Sequence, residues 1–197
     1  DVNIQDLNGK TPLSIASYDG NTEIVRLLLN AGAQLELKDQ SGDTALMDAG
    51  ANNHTEIVRM LIEKGADVNI QNESGYTALL NASFEGHKEI VRMLIKAPGA
   101  DVNIQDLNGS TPLIIASYDG NIEMVRLLLD AGAQLEIKDQ SGDTALMYAT
   151  ANNHTEIVRL LQEGDANENV KNEDGYTALM YAVKNDNTDM VETLIED

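Results

Sequence analysis

Glycine recurs along this chain at Gly9, Gly42, Gly75, Gly109, Gly142 and Gly175, at separations of 33, 33, 34, 33 and 33 residues. A fixed period of this length restricts the fold more than any other feature, because so short a unit cannot bury its own apolar side and must stack on its neighbours. Every unit carries Gly-x-Thr, then Pro or Ala, then Leu: GKTPL, GDTAL, GYTAL, GSTPL, GDTAL and GYTAL. All five arginines, Arg26, Arg59, Arg92, Arg126 and Arg159, occupy one position of the unit. The single extra residue lies in Lys96-Ala97-Pro98-Gly99, where the proline marks a bulge between helix and loop. Residues 1–63 also match residues 101–163 with ten differences, so a block of three units is duplicated. Differences such as Ile24 with Met124 and Leu37 with Ile137 mix core-like and surface-like positions, the pattern of drift after duplication.

Within one unit, Thr11 suits an N-cap and Pro12 the first helical position, with Leu13, Ala16 and Ser17 on one face of a short helix. Asp19-Gly20-Asn21 interrupts it. A second helix is predicted over 23–30, with Ile24, Leu27 and Leu28 on one stripe and Val25 and Leu29 widening it, ending at Gly32 as a left-handed cap. Leu35 and Leu37 then alternate with polar residues toward turns such as Asn8-Gly9 and Ser41-Gly42, which predicts an extended, hairpin-like finger.

A 33-residue unit with GxTPLxxA, a second helix reading EIVRLLLxxGA and an ADVN segment resembles the ankyrin repeat, over essentially the whole chain. The resemblance implies an all-α solenoid: helix-turn-helix pairs with β-hairpin fingers, stacked into a curved array whose concave face binds partners. The chain departs from the family where His usually follows TPL; it has Ser14, Met47, Leu80, Ile114, Met147 and Met180, so apolar packing is expected to replace a local hydrogen bond. Repeat five also reads Gly164-Asp165-Ala166-Asn167 where repeat two reads Lys64-Gly65-Ala66-Asp67. One domain over 1–197 is expected, with repeats at 6–38, 39–71, 72–105, 106–138, 139–171 and 172–197. Residues 1–5 read as the remnant of an upstream finger, as if cut from a longer array. Lys184, Asn185, Asp186, Glu192, Thr193 and Glu196 make the last repeat a polar cap.

The charge is −20, from 33 acidic and 13 basic residues. A surface this acidic argues against nucleic acid and anionic membrane as partners. There is no cysteine, hence no disulfide framework, thiolate metal site or cysteine nucleophile. No apolar run approaches the roughly 18 residues of a membrane span, and a soluble, cytoplasmic, monomeric chain is expected, unless an open N-terminal face self-associates. His54, His87 and His154 share one repeat position and read as turn hydrogen bonders, too far apart to converge on one metal. No nucleotide, phosphate or hydrolase motif is present, and no cofactor or enzymatic activity is expected. Asp39-Gln40-Ser41-Gly42-Asp43 looks like half a calcium loop but lacks the spacing and final Glu of an EF-hand, so it reads as a turn. Each arginine follows a Glu by three residues, as in Glu23 and Arg26, which reads as a structural ladder.

The seven aromatics fall on three repeat positions. Tyr18, Phe84 and Tyr118 lie nine residues after the repeat glycine, Tyr148 and Tyr181 six after, and Tyr76 and Tyr176 one after. The core is therefore aliphatic. Rings on the first helix opposite the Leu13 stripe, beside the finger, lie on the concave face that the resemblance implies, and Tyr-rich surfaces favour recognition. The same rows carry Asp19, Asp43, Asp48, Glu73, Glu85, Asp119, Asp143, Glu173 and Asp174 against Lys10 and Lys184. The expected function is capture of a partner protein or peptide of basic character, with Tyr18, Phe84, Tyr118 and Tyr148 as anchors and Asp19, Asp48, Glu85 and Asp119 as the charged complement. Asp48 and Gly50 become Tyr148 and Thr150 in the second block, so the two halves need not share a ligand. The alternative is a spacer within a longer array, or a consensus-like scaffold without a dedicated ligand.

Overall fold

In the computed structural model, of which residues 1–195 are described, each repeat folds as two antiparallel helices followed by an extended finger. Glu196, counted above with the polar cap, lies outside the described residues. The chain divides into two units at the junction of the duplicated blocks, Asp1–Asp106 and Leu107–Asp197. The first holds α1 (Pro12–Tyr18), α2 (Thr22–Asn30), α3 (Ala45–Ala51), α4 (Thr55–Glu63), α5 (Ala78–Phe84) and α6 (Lys88–Ile95). The second holds α7 (Pro112–Asp119), α8 (Ile122–Asp130), α9 (Ala145–Ala151), α10 (Thr155–Glu163), α11 (Ala178–Lys184) and α12 (Thr188–Ile195).

Threonine hydroxyls start the first helix of every repeat. Thr11, Thr44, Thr77, Thr111, Thr144 and Thr177 each accept from the backbone N–H three residues on, at 3.0–3.5 Å. The position where the family usually has His behaves in three ways, Met180 being exposed. Ser14 keeps a local hydrogen bond, because its Oγ accepts from Thr11 N at 3.0 Å and completes a capping box. Met47, Leu80, Ile114 and Met147 are instead buried, so apolar packing does replace the bond there.

Within the first unit α1, α3 and α5 form one layer and α2, α4 and α6 a second; α7, α9, α11 and α8, α10, α12 repeat this in the second unit. Leu13, Leu46 and Leu79 with Ala16, Ala49 and Ala82 fill the space between layers against Val25, Val58 and Val91. The alanines let the paired helices approach closely, and the leucines supply the buried area. The stripe expected on α2 is corrected. Val25 and Leu29 are buried, but Ile24 is 49% exposed and Leu27 61%. Ile57 and Ile90, the counterparts of Ile24, are buried. A second helix in this stack has apolar residues for two neighbours, and within its unit α2 has one, α4.

The fingers contain no strand among the described residues. The finger tip at Asp39 is an Asx turn: Asp39 Oδ1 accepts from Ser41 N at 2.9 Å and Asp43 N at 3.0 Å, and Asp39 N donates to Asp43 O. Asp6, Asn72 and Asp139 do the same in their repeats. Two backbone bonds within the turn close the tips at Asp6, Asp39, Asn72, Asp139 and Asn172, as Asp39 N to Asp43 O and Gly42 N to Asp39 O do, and no strand follows among the described residues, so the expected β-hairpin is reduced to its turn. Successive fingers are joined instead by single rungs, Gln40 N to Asn8 O and Glu73 N to Ser41 O in the first unit, Gln140 N to Asn108 O and Glu173 N to Ser141 O in the second.

Histidines and arginines also tie neighbouring repeats. His54 Nε2 bonds Tyr18 O at 2.9 Å, His87 Nε2 bonds Ala51 O at 3.0 Å, and His154 Nε2 bonds Tyr118 O at 3.0 Å. Arg26 and Arg59 pair with the Glu three residues earlier, each at 3.5 Å, whereas Arg126 reaches Glu156 of the next repeat at 3.2 Å. These exposed pairs contribute little each, about 0.2–0.5 kcal/mol.

The last repeat is polar at Lys184, Asn185, Asp186 and Glu192, all exposed. Thr193 is not part of that surface: it is buried, its hydroxyl donating to Asp189 O at 2.9 Å. Met180 and Val183 of α11 are exposed, so this cap mixes apolar with polar residues.

Repeat five ends its second helix differently from repeat two. Gly65 has φ +88°, the left-handed conformation that costs glycine nothing, whereas in repeat five Gly164 is the C-cap at φ −86° and Asp165 takes the left-handed place at φ +65°. Asp165→Gly therefore stabilises the chain by up to about 1 kcal/mol, measurable as a raised urea midpoint; an unchanged or lowered midpoint contradicts this.

Candidate functional site

The short first helices stop at their last ring or just beyond, so the residue nine after the repeat glycine projects from the helix end toward the finger side. Tyr18 is 50% exposed, Phe84 60% and Tyr118 55%, and none of them contributes to the buried core. Asp19, Glu85 and Asp119 follow immediately and are exposed as well. Burial nonetheless raises the Asp119 carboxyl, with His154 pulling it back. In the first unit Lys10 Nζ lies over the Tyr18 ring, 4.8 Å from its centroid.

The other four rings are half-buried and committed to contacts within their own unit. Tyr148 meets Tyr118 edge-on at 5.7 Å, and its hydroxyl donates to Asp139 Oδ2 at 2.5 Å. Burial first, and then that carboxylate, push the phenol well above its ordinary range. Tyr181 stacks obliquely on Tyr176 at 5.4 Å, and Lys184 Nζ sits 5.5 Å over the Tyr176 ring. The Tyr181 hydroxyl bonds both oxygens of Asp143, at 3.1 and 3.3 Å, and accepts from Asn172 Nδ2 at 3.0 Å; burial and Asp143 raise it to about 12. Tyr76 is raised in the same direction, by burial and by its hydrogen-bond partner Asp106. Tyr76, Tyr148, Tyr176 and Tyr181 are thus half-buried, whereas Tyr18, Phe84 and Tyr118 are exposed, Tyr18 with Lys10 over its ring and Tyr118 against Tyr148.

The acidic residues divide likewise. Asp43 is half-buried and held by Asn72 Nδ2 at 2.8 Å; Asp143 is buried between Asn172 and Tyr181. Burial raises both carboxyls against those hydrogen bonds. Asp48, expected as a surface charge, is 8% exposed on α3, and its Oδ2 has no hydrogen-bond partner. Burial pushes it up to about 7, with Lys10 opposing and Asp43 and Asp39 adding. Sequence reasoning passed over Asp39, Asn72 and Asn172 as members of this surface. A signal was present: positions 10 and 48 differ together between the blocks, Lys10 with Asp48 and Ser110 with Tyr148.

The family model described as "Ankyrin repeats (3 copies)" matches residues 1–72, 65–139 and 132–197. The chain belongs to the ankyrin-repeat family. An ankyrin repeat domain from Acinetobacter baumannii AYE is 32% identical, with a TM-score of 0.88 over 93% of this chain and 96% of that one. The ankyrin repeat domain of Bcl-3, a member of the IkappaB protein family, is 31% identical, with a TM-score of 0.89 over 98% and 86% of the two chains. No curated protein matches the chain at a significant level. Ankyrin repeats generally mediate protein–protein interaction. Among the described residues of this ankyrin array no group of three His, Cys, Asp or Glu side chains is placed to hold a metal ion, and no helix is long and apolar enough to cross a membrane.

Proposed function

We propose that this ankyrin array is a non-enzymatic interaction module that captures a partner protein or peptide of basic character on the surface made by its first helices and fingers. Tyr18 and Phe84 anchor the partner on the first unit, with Asp19, Asp48 and Glu85 as charged complement; Tyr118 and Asp119 do so on the second, with Tyr148 supporting Tyr118 from the side. The observation that carries this reading is the exposure of Tyr18, Phe84 and Tyr118 beside a core that, among the described residues, contains no aromatic ring. Large, stiff rings that the fold does not need for packing are the residues from which binding hot spots are most often built. The surrounding carboxylates raise the encounter rate with a cationic partner, an effect that salt screens.

Phe84→Ala combined with Tyr118→Ala tests it. Partners recovered by the parent chain and identified by mass spectrometry are expected to be lost from the double variant, and capture by the parent to weaken with added salt. The double variant is expected to unfold within about 1 kcal/mol of the parent, since exposed side chains contribute little to stability. Lost cooperativity would instead make the rings part of the core, and capture undiminished by the two substitutions would remove the reading.

A further inference from the structure

Residues 1–63 and 101–163 are near-copies, so each group near Asp48 has a counterpart whose partner can be read directly. In the second unit the finger carboxylate Asp139 takes the Tyr148 hydroxyl on Oδ2, and Asp143 takes Tyr181 and Asn172. In the first unit Asp48 stands in place of Tyr148 and Asn81 in place of Tyr181. No side chain donates to Asp39 Oδ2, and Asp43 keeps Asn72 alone. Asp48 itself is more than nine-tenths buried with one carboxylate oxygen unpartnered, a state that costs free energy unless a donor arrives. The cation nearest the group, Lys10, makes no ion pair and lies over Tyr18 instead.

We infer that the first unit carries a receptor for one arginine side chain of a protein partner, with Asp48 as its floor, Asp39 and Asp43 as its rim and Tyr18 beside it, and that Tyr148 closes the corresponding place in the second unit. Asp39, Asp43 and Asp48 act on one another electrostatically and are short of side-chain donors, and a planar guanidinium supplies several at once in a fixed fork, where a lysine ammonium acts as a point charge. The inference rests on the interaction surface proposed above and specifies what that surface recognises in one of its halves. Lys10, Asp39 and Asp43 are the charged groups acting on Asp48, so occupation by a second cation draws its proton off and strengthens with rising pH.

The probe is N-acetyl-arginine N-methylamide, titrated at low salt into the carboxyl-13C-labelled 197-residue chain, with the glutamine and lysine analogues as controls. A saturable shift of the Asp48 carboxyl resonance is expected at pH 7.5, weaker at pH 6 and weaker with the lysine analogue, absent with glutamine and absent at Asp139. Asp48→Asn and Asp48→Tyr should each abolish the response at Asp39 and Asp43; the tyrosine variant places there the residue the second unit already carries. Lys10→Ser, which removes the competing cation, should tighten the response several-fold. No saturation at Asp48, an equal response at Asp139, or survival of the Asp39 response in both Asp48 variants would overturn the receptor. Partner capture that persists while the carboxyls stay silent removes the arginine receptor and leaves the interaction surface standing.

Discussion

At pH 8 the Asp48→Asn variant should be more stable than the parent chain, by about 2–4 kcal/mol. An unfolded aspartate loses its proton near pH 4, whereas burial holds the folded Asp48 proton up to about pH 7. Between those values the folded chain binds more protons than the unfolded one, so Asp48 withdraws stability as pH rises and withdraws no more above about 7. Asp43, Asp119 and Asp143 are raised too, so they act in the same direction and remain in the variant. Urea denaturation from pH 4 to 8 should therefore show the two chains diverging across this window and running parallel above it. Parallel curves throughout would mean that the Asp48 carboxyl is hydrated after all. A group that weakens its own fold is retained where it does something else, which is what a floor for a guanidinium would be.

The second large effect is expected in the fingers. Gly42 has φ +80°, and a Cβ there would lie 2.8 Å from Glu73 N and 3.0 Å from Asn72 Cα, both rigid backbone of the following finger. Gly42→Ala adds the left-handed strain of a side chain, about 1–2 kcal/mol, to loss of the Glu73 N to Ser41 O rung, about 1 kcal/mol. A total of roughly 3 kcal/mol follows. Gly175 has the same φ but nothing within 4 Å of the added atom, so Gly175→Ala should show only the strain. Urea midpoints of the two variants, with amide exchange at Glu73, separate the contributions. Equal losses would show that contact between fingers adds nothing.

Much of the fold was legible because the signals are local and repeated six times. Thr11 with Pro12 and the turn at Ser41-Gly42 each need only their own few residues, and each appears in the structure where the sequence puts it. The end repeats were harder, since Ile24 and Ile57 look identical in sequence and differ only in how many helices pack on them. The surface was legible by position and not by state. Tyr118 and Tyr148 both stand on the ring side of a first helix, yet one is exposed and the other ends on Asp139, because an Asx-turn carboxylate with a spare oxygen lies within reach of the shorter offset. Asp48 looked like another solvated charge. Its burial depends on the packing of α3 between α1 and α5, which no single repeat encodes.

The rungs between fingers also govern where such a chain can change length. Each one joins residues about a full repeat apart, Asn8 with Gln40 and Ser41 with Glu73, so a residue added inside a finger would set the rungs on both sides of that finger out of step. The one insertion the chain carries, at Lys96-Ala97-Pro98-Gly99, lies between a helix end and the next finger, and a side chain at Gly99 would meet open space. Asn69 of the preceding finger holds the downstream edge of that joint, its Nδ2 donating to Gly99 O at 2.7 Å and its Oδ1 accepting from Asp101 N at 2.9 Å, so the joint works as an expansion gap only upstream of Gly99. Peptide tags or reporter loops grafted there should leave the array in register, whereas the same graft at a finger tip should not.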